Sequence, residues 1–117
     1  MPRRRKPDPL AQTVGDRVRR FREEAGLTLE KLAFESDLGS KGHLSDLERG
    51  LLRPTISTLQ VLADRLEVLL LDLVTNPDAD TRQQLVDLTR RLSPSGLRRV
   101  LREARRVLAE EQQRQRS

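Results

Sequence analysis

Residues 26–66 read GLTLEKLAFESDLGSKGHLSDLERGLLRPTISTLQVLADRL, and the fold follows from how this stretch is punctuated. Gly26 is a helix C-cap, and Thr28 is an N-cap for a helix from Leu29 to about Asp37 whose buried stripe holds Leu29 or Leu32, Ala33 and Ser36. Leu38-Gly39-Ser40 then makes a turn, with Ser40 placed to cap a short helix from Lys41 to Arg49. Leu44 and Leu47 face inward on that helix, and Gly50 closes it. Leu51-Leu52-Arg53-Pro54 forms a loop, and Thr55 caps a further helix to about Leu66 with Ile56, Leu59, Leu62, Ala63 and Leu66 on its apolar face. Two short helices joined by a tight turn need a small residue where they cross, a place Ala33 fills. Leu38 plugs the turn, and Lys41, Gly42, Ser45, Asp46 and Arg49 are left on the outer face.

Working outward, a helix from Leu10 or Thr13 to Glu24 carries Val14, Val18 and Phe21 at helical spacing, ringed by Arg17, Arg19, Arg20 and Arg22. A short helix from Leu69 to Val74 precedes the breaker Asn76-Pro77-Asp78. Beyond it, residues 81–92 are amphipathic through Leu85, Leu88 and Leu92. Ser93-Pro94-Ser95-Gly96 interrupts, with Ser95 as a cap for a last helix from Gly96 to about Glu111. Leu97, Val100, Leu101, Ala104, Val107 and Leu108 form its apolar seam. The pattern predicts an all-α chain with a basic arm over residues 1–9 and a five-helix domain over 10–75. A linker at 76–81, a C-terminal amphipathic helical pair at 82–111 and a disordered polar tail at 112–117 complete it. The arm, MPRRRKPDP, is extended by its three prolines and reads either as a disordered solvated tail or as an arm on a DNA backbone or minor groove.

Composition narrows the chemistry. The 117 residues hold 23 Lys and Arg against 18 Asp and Glu, a formal +5 that favours a polyanionic partner. Aromatic residues make up 2%, with no Trp and no Tyr, which argues against an aromatic ligand pocket and against RNA recognition by base stacking. With no Cys there is no thiolate metal site or thiol nucleophile, and one His43 cannot make a metal site by itself. No nucleophile–base pair, Gly-rich phosphate loop or ligand cluster can be found, so no enzyme, cofactor or metal is expected. The chain has no spanning apolar run or signal pattern, and a cytoplasmic protein of bacterial or phage type, nucleoid-associated when bound, is the expectation.

The stretch resembles the lambda-repressor and Cro (XRE) type of helix-turn-helix regulators. The matching residues are Gly26-Leu27-Thr28, Leu32-Ala33, Leu44-Ser45, Leu47-Glu48, Gly50, Pro54-Thr55, Thr58-Leu59 and Leu62-Ala63. The resemblance covers about Leu10 to Val74 and implies a lambda-repressor-like domain whose third helix enters the major groove of double-stranded DNA. Carried over position by position, it makes Lys41, Gly42, Ser45 and Asp46 base-facing, with Asp46 orienting a neighbouring Lys or Arg or accepting from cytosine. Phosphate contacts fall to Arg17, Ser40, His43, Arg49 and Arg53. It also implies a partly buried structural ion pair between Arg22 and Glu48. Three departures stand out. Leu29 replaces the usual Gln, Ser36-Asp37-Leu38 replaces Ala-Gly-apolar, and Gly39 is one extra residue in the turn, where Asp37 must adopt a conformation that suits Gly.

One such module touches too few base pairs for selective binding, so a homodimer on a palindromic operator is expected, most simply a repressor. Leu97, Val100, Leu101, Ala104 and Leu108 are the expected dimerisation seam; the alternative packs that seam on Val68–Leu71 of the same chain. A protein–protein adaptor or antitoxin, its C-terminal helices gripping a regulatory protein partner, is the competing function. Sequence-tolerant, nucleoid-type binding driven by the Arg excess is another.

Overall fold

The computed structural model describes residues 8–116, all of whose regular structure is helical: α1 (Pro9–Glu24), α2 (Leu29–Glu35), α3 (Lys41–Glu48), α4 (Ile56–Leu66), α5 (Leu70–Val74), α6 (Thr81–Thr89) and α7 (Pro94–Arg116). The expected basic arm lies outside the described residues except for Asp8 and Pro9, which start α1. Asp8 caps that helix by accepting from the Ala11 N–H at 3.2 Å, and Pro9 occupies the first turn, where its missing N–H costs nothing.

Caps set most of the other boundaries. Thr28, Ser40, Thr55 and Asp80 each accept from a backbone N–H three residues on, opening α2, α3, α4 and α6. α1 ends where Gly26 turns left-handed at φ +71, with the Leu27 N–H donating to Arg22 O at 3.0 Å. α2 stops at Glu35, two residues short of expectation, because the chain reverses at Asp37 (φ 55). The Leu38 N–H then donates to Ala33 O at 3.1 Å. Gly39, the extra residue, is also left-handed at φ 85.

Val18, Leu32, Leu44, Leu47, Leu62 and Leu73 are the innermost side chains, so α1–α5 each contribute to one core. The tightest crossing is at Gly15 of α1. A Cβ there would overlap Leu47 O and stand 2.5 Å from Glu48 O of α3. The small residue that brings α3 against α1 is therefore Gly15, in addition to the buried Ala33.

The C-terminal pair differs in its boundaries from the sequence reading. Ser93, not Ser95, caps α7: its Oγ accepts from the Gly96 N–H at 3.1 Å, and Pro94 takes the first helical position. The helix then runs on to Arg116, through the segment expected to be a disordered tail, since Glu110 to Arg116 contain no Gly, Pro or β-branched residue to stop it. No residue of α6 or α7 is fully buried. Among the described residues no helix is long and apolar enough to cross a membrane, and no group of His, Cys, Asp and Glu is arranged to hold a metal ion.

Candidate nucleic-acid interface

α3 is an eight-residue helix held by two opposite requirements on its faces. Leu44 and Leu47 are fully buried, and Glu48 beside them is buried too. Around the rest of the helix Lys41 and Gly42 are exposed, as is Arg49 just beyond its end, while His43, Ser45 and Asp46 are half-buried. A Cβ at Gly42 would meet nothing within 4 Å, so this point of the surface is open to close approach by a partner's backbone or bases.

Two ion pairs organise that face. The Asp46 carboxylate accepts from Arg49 Nη2 at 2.5 Å, one helical turn on, so the acid sets the direction of a guanidinium on the outer side of α3. Lys41 Nζ donates to Glu30 Oε1 of α2 at 3.2 Å, both side chains remaining well exposed. Glu30 has no place in the sequence reading: eleven residues separate it from Lys41, and only the angle between α2 and α3 brings them together. At the N-terminus of α3, Ser40 Oγ accepts from the His43 N–H at 3.1 Å, leaving the earlier N–H groups of the helix directed outward. Arg53 reaches Asp8 at 3.8 Å from the loop after α3, with most of its side chain exposed.

Behind this face the Arg22 guanidinium spans α1 and α3. Its Nε and Nη2 donate to the two Glu48 oxygens at 2.7 and 3.1 Å, and its Nη1 donates to Leu27 O at 2.8 Å. The bidentate pair, with side chains 12% and 6% exposed, fixes α3 against the domain at the end opposite Ser40.

Arg17 is not part of the interface. Its side chain is 6% exposed, with Nε donating to Asp72 O at 3.1 Å and Nη2 to Asp87 at 2.8 Å. The guanidinium also lies over the Phe21 ring, 4.7 Å from the centroid. The expected phosphate contact is corrected to a buried tie among α1, α5 and α6. Spacing explains it: Arg17 lies three residues after Val14 and four before Phe21, on the inward stripe of α1. Arg19 and Arg20 instead lie outside, paired to Glu23 and Glu24.

The helix-turn-helix family model matches residues 18–73, the stretch that builds this face and its support. The HTH-type transcriptional regulator y4dJ of Sinorhizobium fredii is 42% identical over 69 residues, which are 59% of this chain and 88% of the relative. The chain belongs to the helix-turn-helix family of transcriptional regulators. The regulator is also 39% identical over 56 residues to the immunity repressor protein of Bacillus phage phi105, covering 48% of this chain and 38% of that one. A chain of the SinR–SinI protein complex superposes with a TM-score of 0.58 and 26% identity, covering 82% of the regulator and 98% of that chain. That share exceeds what α1–α5 provide, so the likeness takes in part of the C-terminal pair.

Proposed function

We propose that the regulator is a repressor that binds a palindromic operator as a homodimer, with α3 of each protomer in the major groove. The observation that carries this is the outer face of α3, where Lys41, Gly42, Ser45 and the Asp46–Arg49 pair stand together above buried Leu44 and Leu47. In this reading Lys41 exchanges Glu30 for a guanine edge or phosphate, and Ser45 contacts a base. Arg49 is aimed by Asp46, while Ser40, His43, Arg49 and Arg53 line the phosphate path. The name of the phage relative, an immunity repressor, supports repression.

The dimer reading rests on α7. Leu97, Val100, Leu101, Val107 and Leu108 are 37–55% exposed in the single chain, a continuous apolar seam along one face. Covering such a seam is favourable by about 25 cal/mol per Å² of apolar surface. Leu97 lines one groove with Val68, Leu69 and Leu71 of its own domain, yet remains as exposed as the rest of the seam. A regulatory protein seated on the same helices is the second reading, favoured by the likeness to a chain from the SinR–SinI complex.

Selection of bound sites from random duplex DNA at physiological salt tests the proposal. A palindrome with half-sites about 34 Å apart is the expected result; recovery of no motif, or of a single half-site, rejects the dimeric operator reading.

A further inference from the structure

The polar face of α7 is not an ordinary solvated face. Several exposed arginines of the chain are neutralised by an acid one turn away, Arg19 by Glu23 and Arg20 by Glu24, and on α7 itself Arg106 by Glu103 and Glu110. Arg98, Arg99, Arg102 and Arg105 make no ion pair among the described residues, Glu103 one turn after Arg99 being taken by Arg106, and all four are exposed. At 100° per residue they occupy one arc centred on Arg102, on the opposite side of the helix from the seam of Leu97, Val100, Leu101, Ala104, Val107 and Leu108. Arg98, Arg102 and Arg106 follow one another at i, i+4, a spacing at which like charges weaken a helix. From residue 97 to 109 there are five Arg and a single Glu, which pairs with Arg106.

We propose that this ridge is a second duplex-DNA surface, binding the phosphate backbone independently of base sequence. Three features favour it. The cations are guanidiniums, whose planar fork matches phosphate oxygens. They point away from the apolar seam, so a covered seam leaves them presented outward. A polyanion also relieves the i, i+4 repulsion that the helix otherwise carries. Held by α3 on one stretch of duplex, the same molecule meets neighbouring phosphates at high effective concentration. The proposal rests on the reading that the regulator engages duplex DNA, but it requires no operator.

The test uses the full chain and a 40-base-pair duplex of unrelated sequence. Binding is measured against salt for the wild type and for the combined Arg98→Gln, Arg99→Gln, Arg102→Gln and Arg105→Gln variant, with helix content and oligomeric state checked alongside. Gln keeps helix propensity and leaves the seam untouched. The slope of log K against log salt is expected to fall by about 0.9 for each phosphate that the variant no longer neutralises, hence by about two to four per chain. The corresponding four-Lys variant is expected to retain most of the slope, which separates an effect of charge from one of folding. Loss of slope without any selected operator leaves the ridge standing and removes the operator reading. Equal slopes for wild type and Gln variant, or no duplex binding by the wild type, overturn the ridge. So does loss of binding to phosphatidylserine vesicles in the Gln variant with its duplex binding intact.

Discussion

Ser36 carries a hydroxyl into a place that has no use for it. The residue is 3% exposed at the end of α2, and its Oγ has no hydrogen-bond partner among the described residues. Burying an unsatisfied polar group costs about 1–3 kcal/mol, so Ser36→Ala is expected to raise stability by about 1 kcal/mol, read as a higher midpoint in urea. Glu48→Ala works in the other direction. It leaves the mostly buried Arg22 guanidinium with Leu27 O and a long 3.9 Å approach to exposed Glu23, and a loss of about 3 kcal/mol is expected. If its thermal midpoint is unchanged, the ion pair is not what holds α3. Gly15→Ala should cost about 2–3 kcal/mol, because the obstacles are the Leu47 and Glu48 carbonyls of the backbone rather than a side chain able to turn away. Denaturant titration of that variant measures how tightly α1 and α3 cross; a midpoint equal to that of the wild type would mean that the crossing has slack.

At the scale of elements, α6 is attached by charge more than by apolar burial. Asp87 accepts from Arg17 and from Arg90 Nε, and Arg90 also reaches Glu24 at 3.6 Å. The Arg17 hydrogen bond foremost, with Arg90 behind it, holds the Asp87 carboxyl below its ordinary value of 3.8. A depressed folded pKa contributes stability above the unfolded value and loses it as pH falls through the folded one. Asp80, the cap of α6, is shifted the same way by its bonds from Gln83. Acid below about pH 4 is therefore expected to release α6 while the five-helix core persists, visible as early loss of amide protection in residues 81–89. The order of the helices, the caps at Thr28, Ser40 and Thr55 and the inward leucines of α3 are all legible in the sequence, because each is a local signal. The position of Arg17 is legible too, since it shares the stripe of Val14 and Phe21, but its residue type argues for the surface and outweighs its spacing. Glu30 beside Lys41 has no local signal at all, and the charge-based anchoring of α6 depends on partners seventy residues apart.

For the molecule as a whole, the proposed dimer makes the seam on α7 the link between assembly and recognition. Leu101→Asp places a charge in the middle of that seam and is expected to give a monomer by analytical ultracentrifugation, with operator affinity falling at least tenfold. A dimer that survives the change would move the two-fold axis elsewhere. In that proposed dimer assembly also sets spacing, because α3 is fixed to α1 by Arg22 and α1 is fixed to α6 by Arg17. Selected operators are accordingly expected to tolerate base changes more readily than an inserted base pair between half-sites.

Two guanidiniums, Arg17 and Arg90, lie over the ring of Phe21, each 4.7 Å from its centre. In a chain without Trp or Tyr, intrinsic fluorescence has little to report. The aromatic ring current supplies a substitute, because arginine side-chain protons held above a ring face resonate well upfield of their usual place. Proton NMR can therefore follow the joint between the two halves of the molecule through its own nuclei, on free and DNA-bound protein alike, without a label.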